Sequence, residues 1–356
     1  MEFASLPTDL SSRLRLDSRG TLPRAAAWIV VAGSALAAGL LLLAFGSFSI
    51  ALTLVFAVLL SCVVLYAWSR VVEGPRRAMD RLMTLVIAAA FGLAMIPLFS
   101  LVFEVAKRGI PGLSLEFFTE DSRGVVGGGG ASHAIVGTLI ITAVAAAISV
   151  PIGLMAAIYL NEYGGTGRLR RALTFFVDVM TGIPSIVAGL FAYALFELFL
   201  GPGIRLGVMG SVALSVLMIP IVIRSAEEVL KIVPNHLREA AYALGTPKWK
   251  TIAKIVLPTA FAGLVTGVMI AIARIVGETA PLLVTTGVVD SMNTDPFNGR
   301  MQNLAVYAYN EYRSPGVLKQ ASYDRAWAAA LTLIAIVMIL NVVARLIYRR
   351  YKTEIR

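Results

Sequence analysis

The sequence predicts an all-helical integral membrane bundle of about eight transmembrane helices, and three observations carry that prediction. Of the 356 residues, 58% are hydrophobic and 15% charged, whereas soluble domains carry about a quarter charged residues. Mean hydropathy is +0.81. Apolar runs also recur along the chain near the roughly 20 residues that cross about 30 Å of hydrocarbon as a helix.

In order, the runs are Ala25 to Phe45, Ser49 to Trp68, Leu82 to Phe103, Ile135 to Leu160, Leu173 to Leu200, Val208 to Ile223, Phe261 to Val284 and Ala326 to Ile347. Arginines precede the first run as they do in a secretory signal. Its apolar stretch is long, however, and the second run follows after a few residues, so the two read as a retained helical hairpin. The fifth run is long enough to tilt or break. The sixth is short for a span and ends against Arg224. The seventh carries Arg274 and Glu278 inside its apolar stretch.

Basic residues set the orientation. With a cytoplasmic N-terminus, 22 of the 31 Lys and Arg fall inside, eight fall outside and Arg274 lies within a span. This is the positive-inside distribution, and it places the C-terminus in the cytoplasm too. It also accounts for the net charge of +10 without nucleic acid, since no dense basic block or interleaved basic and aromatic face is present. The single cysteine, Cys62, forms neither a disulfide framework nor a CxxC pair and reads as apolar filler.

Three segments lie between the runs. Glu104 to Ala134 holds GVVGGGGASH, a glycine run without the Lys-Ser/Thr ending of a phosphate-cradling loop, and reads as a mobile connection. Thr285 to Arg325 is polar and aromatic with turn signals, suited to capping the outer mouth or meeting an external partner. The inner segment, Arg224 to Pro258, reads as two short amphipathic helices. Leu237, Ala240, Ala241 and Leu244 recur at helical spacing up to Gly245, a helix stop. Thr246 as N-cap and Pro247 in the first turn restart a helix carrying Trp249, Ile252 and Ile255. Such a pair is either an interfacial anchor or a docking lever for a soluble partner.

Glu239, Ala240 and Ala241, then Gly245 after three residues, then Ile255, Leu257 and Pro258, match the EAA loop of ABC-importer permeases at every position. Further stretches extend the resemblance: AIVGTLIITAVAAAISVPIGLMAAIYLNEY, GIPSIVAGLFAYALF, IPIVIRSAEEVLKIVPNHLREAAYALGTPKWKTI and AIARIVGETAPLL. Together they resemble the PstA family of phosphate-importer permeases over Leu82 to Ile347. The first two spans depart from that family's six-helix plan.

The resemblance implies a type I ABC importer permease (MetI-like) fold. It divides the chain into a cytoplasmic segment with an extra hairpin (1–70), a third helix and external loop (71–134), a permease core (135–347) with its coupling loop (224–258), and a tail (348–356). It implies a permease subunit and no enzyme: a PstS-like binding protein delivers phosphate, a PstC-like second permease completes the path, and a PstB-like ATPase dimer uses ATP and Mg. No cofactor is expected on this chain. Glu239, Ala240, Ala241, Gly245 and Arg238 are the expected ATPase-coupling residues. The chain cannot itself be the motor, because no GxxxxGK[ST] loop is present.

The expected substrate path rests on Arg274, Glu278 and Arg224. A central arginine costs at least about 2.5 to 3.5 kcal/mol on insertion scales, so Arg274 should face protein or a water-filled cavity. Glu278, one turn on, would meet it on the same helix face. The pair reads as a structural ion pair or as an anion site in which the guanidinium grips phosphate oxygens. In the second case Glu278 either holds Arg274 when the path is empty or accepts a hydrogen bond from protonated phosphate, which fully ionised sulfate cannot donate. Arg224 is either a path residue or a positive-inside flank, and Asp178 a path residue or a helix-packing partner. Lys231 and Arg238 read as surface or ATPase contacts, and His133 and His236 as bystanders. Two other functions fit less of the pattern: a permease for molybdate or sulfate, and an ATP-independent transporter that would leave the EAA loop without a role.

Overall fold

The computed structural model describes residues 20–23, 25–46, 49–123 and 129–351. The expected N-terminal cytoplasmic segment up to residue 19, most of the glycine run (124–128) and the tail from 352 lie outside the described residues. The chain divides into two compact units, Met1–Val102 and Phe103–Arg356.

In the first unit, α1 (Ala26–Ala44) and α2 (Ile50–Val72) pair as an antiparallel hairpin. Their buried positions recur every fourth residue: Ala26, Val30, Ser34 and Ala38 on α1, and Ala57, Ser61, Leu65 and Ser69 on α2. Mostly small side chains on these stripes let the backbones approach closely, the usual solution where lipid removes the hydrophobic drive. After α2, Gly74 takes φ +94 and makes the corner, and Pro75 opens α3 (Pro75–Gly109), where its missing N–H costs nothing.

Glu73 is buried at that corner. It accepts hydrogen bonds from the Leu22 N–H at 2.8 Å, the Ser69 hydroxyl at 2.8 Å and the Arg81 guanidinium at 2.8 Å. Beside Arg81, and despite the opposing cost of burial, the Glu73 carboxyl is held down at about 2. The hairpin is thereby tied to the chain that leads into it.

The second unit begins with the last turns of α3 and a single turn, α4 (Leu115–Thr119), capped by Ser114 through the Phe117 N–H. Its main helices are α5 (Ser132–Ile158), α6 (Arg168–Thr181), α7 (Ser185–Leu200), α8 (Gly207–Ile232), α11 (Leu257–Val276) and α14 (Lys319–Tyr351). Shorter helices α9 (Asn235–Ala243) and α10 (Lys248–Thr251) join α8 to α11, while α12 (Ala280–Thr285) and α13 (Leu304–Arg313) lie beyond α11. The end holding α9 and α10 is the proximal end; α13 marks the distal end.

Helices α5 and α8 run parallel and form the spine. The Ser211 hydroxyl donates to the Ile141 carbonyl at 3.1 Å and Ser215 to that of Ala145 at 3.4 Å. Helix α11 returns antiparallel against α8, and Gly267 makes the approach possible: a Cβ there would lie 2.8 Å from that of Ser225. A buried apolar cluster around Leu214, Met218, Val222, Ala271 and Ile275 fills the middle. A second, around Leu160, Val177, Leu230 and Val256, closes the proximal end.

Among the described residues seven helices are long and apolar enough to cross a membrane, or eight if α6 and α7 count as one span. The expected fifth span is broken, with α6 and α7 bent by 108°. Pro184 supplies no N–H for a continuous helix and disfavours helical backbone at the residue before it. The sixth run continues beyond its expected end at Ile223 to Ile232, so Arg224 is internal to α8. The seventh run is not one helix: α11 stops at Val276 and α12 starts at Ala280. Gly277 and Pro281 explain the break, one as a weak helix former and the other as a helix opener.

Candidate functional site

Local backbone chemistry shapes the proximal end. Pro234 at φ −61 and ψ 136 ends α8 and opens α9. Gly245 then adopts φ +72, a left-handed conformation that costs other residues about 1–2 kcal/mol. Its N–H donates to the Tyr242 carbonyl at 2.9 Å and that of Thr246 to the Ala241 carbonyl at 3.0 Å, the paired closure of a glycine-terminated helix. Pro247 takes the cap position of α10, one residue later than the expected N-cap at Thr246.

The α9–α10 turn presents an apolar surface. Leu244 is 86% exposed and Trp249 64%. Glu239, Ala240 and Gly245 are exposed beside them, while Ala241 is buried against the bundle. Lys231 and His236 are also exposed.

Arg238 departs from its expected place as a partner-facing cation. Its side chain is only 13% exposed and pairs at 2.8 Å with Glu162, itself 5% exposed. The same guanidinium donates to the Val233 carbonyl at 2.7 Å and the Leu230 carbonyl at 3.1 Å. The last carbonyls of α8 have no intrahelical donors, and together with buried Glu162 they draw Arg238 inward. Glu162 lies in a π-helical turn, Tyr159–Tyr163, that continues α5. A second π-turn, Ile252–Val256, joins α10 to α11. Such turns concentrate at functional positions. Sequence reasoning missed Glu162; the only signal was an acid closing the apolar run MAAIYLNEY.

Deeper in the bundle, Arg224 is shared by two carboxylates. Its Nη1 donates to Glu227 Oε2 at 2.9 Å, and its Nη2 donates to Asp178 Oδ1 on α6. Asp178 is therefore a partner of Arg224, and Glu227 is a member of the cluster that sequence reasoning did not single out. The i, i+3 spacing of Arg224 and Glu227 was its available signal.

Arg274 and Glu278 are not joined. Arg274 occupies the last turn of α11 and is exposed, whereas Glu278 lies beyond the helix end with its N–H on the Ile275 carbonyl at 3.1 Å. The expected meeting on one helix face fails because α11 stops between them. Among the described residues no hydrogen bond or ion pair reaches either side chain. Since Gly267 meets Ser225, Arg274 lies about 10 Å further toward the distal end than Arg224, at 1.5 Å per residue. The two arginines thus stand at successive depths of one bundle.

At the distal end, His133 is buried and meets Tyr307 edge to face at 5.5 Å. It lies apart from the arginine cluster of the same unit.

The family described as binding-protein-dependent transport system inner membrane component matches residues 149–356. Phosphate transport system permease protein PstA 1 of Mycobacterium tuberculosis (strain ATCC 25618 / H37Rv) is 45% identical over 276 residues, covering 76% of this chain and 88% of that protein. The PstA protein of Mycobacterium leprae (strain TN) is 44% identical over 276 residues, with 76% and 89% covered. That of Yersinia pestis is 39% identical over 282 residues, with 78% and 92% covered.

Proposed function

The chain belongs to the binding-protein-dependent transport system inner membrane component family, and on that premise we propose that it is the permease subunit of an ATP-driven phosphate importer. The observation that carries this reading is the exposed apolar turn around Leu244 and Trp249, in a chain whose relatives are named phosphate transport system permeases. Leu244, Glu239, Ala240 and Gly245 form the surface that meets a cytoplasmic ATPase dimer, where ATP and Mg are used, and buried Ala241 packs the turn against the bundle beneath them. Arg238 holds that surface to the bundle. A second permease completes the path, and an external phosphate-binding protein loads it. Both termini lie in the cytoplasm, in keeping with the distribution of basic residues.

In the path, Arg224 and Arg274 supply permanently charged, forked donors matched to phosphate oxygens. Their separation in depth suits a handover between two positions as access alternates. Glu278 accepts a hydrogen bond from a protonated phosphate oxygen, a contact that fully ionised sulfate cannot make.

Purification of the assembly and its reconstitution with the binding protein tests the reading. Phosphate should stimulate ATP hydrolysis and accumulate in the vesicles, with sulfate and molybdate competing poorly. A chain that purifies without an ATPase and moves phosphate without ATP would overturn it.

A further inference from the structure

Arg224 is a cation proposed to receive an anion, yet it already holds two. Glu227 sits three residues along α8, so it travels with Arg224 however that helix moves. Asp178 belongs to another helix: it lies in the last turn of α6, just before the 108° bend into α7. The two acids also differ in surroundings, with side-chain exposures of 6% for Glu227 and 60% for Asp178. Freeing Glu227 would strand a buried charge, which is costly, whereas Asp178 can pass to water.

A carboxylate and a phosphate seek the same guanidinium edge. Arg224, Glu227 and Asp178 together sum to one negative charge, which repels an arriving anion. Withdrawal of Asp178 brings the remainder to neutrality and frees Nη2. We propose that Asp178 is a built-in competitor for the transported oxyanion: it occupies Arg224 when the path is empty, leaves as α6 pivots, and returns to displace the cargo. This rests on the reading of Arg224 as a path residue. Asp178 is then a positioning residue, acting through Arg224.

The test uses the assembled transporter without its binding protein and measures equilibrium binding of radiolabelled inorganic phosphate. Asp178→Asn should bind phosphate at least about tenfold more tightly than the wild type, because a charged competitor is lost. Asp178→Ser should show the same gain, which guards against a fault peculiar to one variant, and Asp178→Glu should restore wild-type binding. In an Arg224→Gln background the gain should vanish. In the complete reconstituted system Asp178→Asn should slow turnover, since the returning carboxylate no longer helps release. Assembled neutral variants that bind phosphate no more tightly than wild type overturn the competitor role, as does an equal gain in the Arg224→Gln background. Undiminished phosphate uptake by Arg224→Gln alone instead removes Arg224 from the path, and this inference falls with it.

Discussion

Arg238 closes onto Glu162 at 2.8 Å and so joins the exposed α9–α10 turn to the π-turn that ends α5. The two residues lie 76 positions apart in the chain. Because α5 and α8 form the spine of the bundle, this pair links the proximal surface to the helix that runs beside Arg224.

Breaking the link should uncouple the transporter. Arg238→Ala leaves Glu162 buried without its cation, a change that costs about 3–5 kcal/mol where such pairs have been broken. Glu162→Gln is expected to be milder, since it keeps a hydrogen-bond acceptor for Arg238. In proteoliposomes both variants should hydrolyse more ATP per phosphate accumulated, Arg238→Ala the more severely. An unchanged ratio with both assemblies intact would deny the pair any part in transmission.

Gly245 is constrained by its backbone and not by crowding. A Cβ there would meet nothing within 4 Å, yet φ is +72. Gly245→Ala should therefore destabilise the turn by about 1–2 kcal/mol. Gly245→Asn should cost less, because Asn tolerates the left-handed region. Affinity for the ATPase, read by titration onto the detergent-purified permease pair, should fall in the order Gly, Asn, Ala. Equal affinities would mean that the turn forms without this conformation.

Arg274 has no ion pair to lose among the described residues, so its replacement probes function with little structural cost. Arg274→Gln should reduce phosphate uptake at least about tenfold, the scale of one lost charge-assisted contact, while thermal stability stays within a few degrees of wild type. Arg274→Lys should retain part of the uptake, since it keeps charge without the fork. Glu278→Gln should preserve uptake and admit more sulfate. A Glu278→Gln transporter with unaltered discrimination would reject the proton-reading role of that acid.

The Glu73 corner should respond to acid. Its pKa falls from 4.5 to about 2, with the Arg81 hydrogen bond as the leading cause. Folding therefore favours the deprotonated form, and the clasp contributes fully above about pH 4.5 and fades as pH drops toward about 2. Hydrogen exchange at the Leu22 amide, corrected for its intrinsic rate, should accelerate across that window. Glu73→Gln should show weak protection at neutral pH as well. Protection of Leu22 that is indifferent to both changes would show that the clasp does not hold this segment.

Sequence alone determined the features that depend on one stretch of chain. Spans were legible because hydrocarbon demands about 20 apolar residues wherever a helix crosses it. The α9–α10 turn was legible because Gly245, Pro234 and Pro247 act on their own backbones. The breaks were half-legible: the length of the fifth run allowed it to tilt or break without saying where, but the run containing Arg274 and Glu278 read as continuous, and the two charges were paired across an end of helix that Gly277 and Pro281 create. Only the tertiary structure decided which charges meet. Asp178 with Arg224 and Glu162 with Arg238 are pairs from different helices, and inside a uniformly apolar run no periodicity marks which side faces protein. A buried or half-buried charge must find its partner in space, and packing, not local pattern, chooses it.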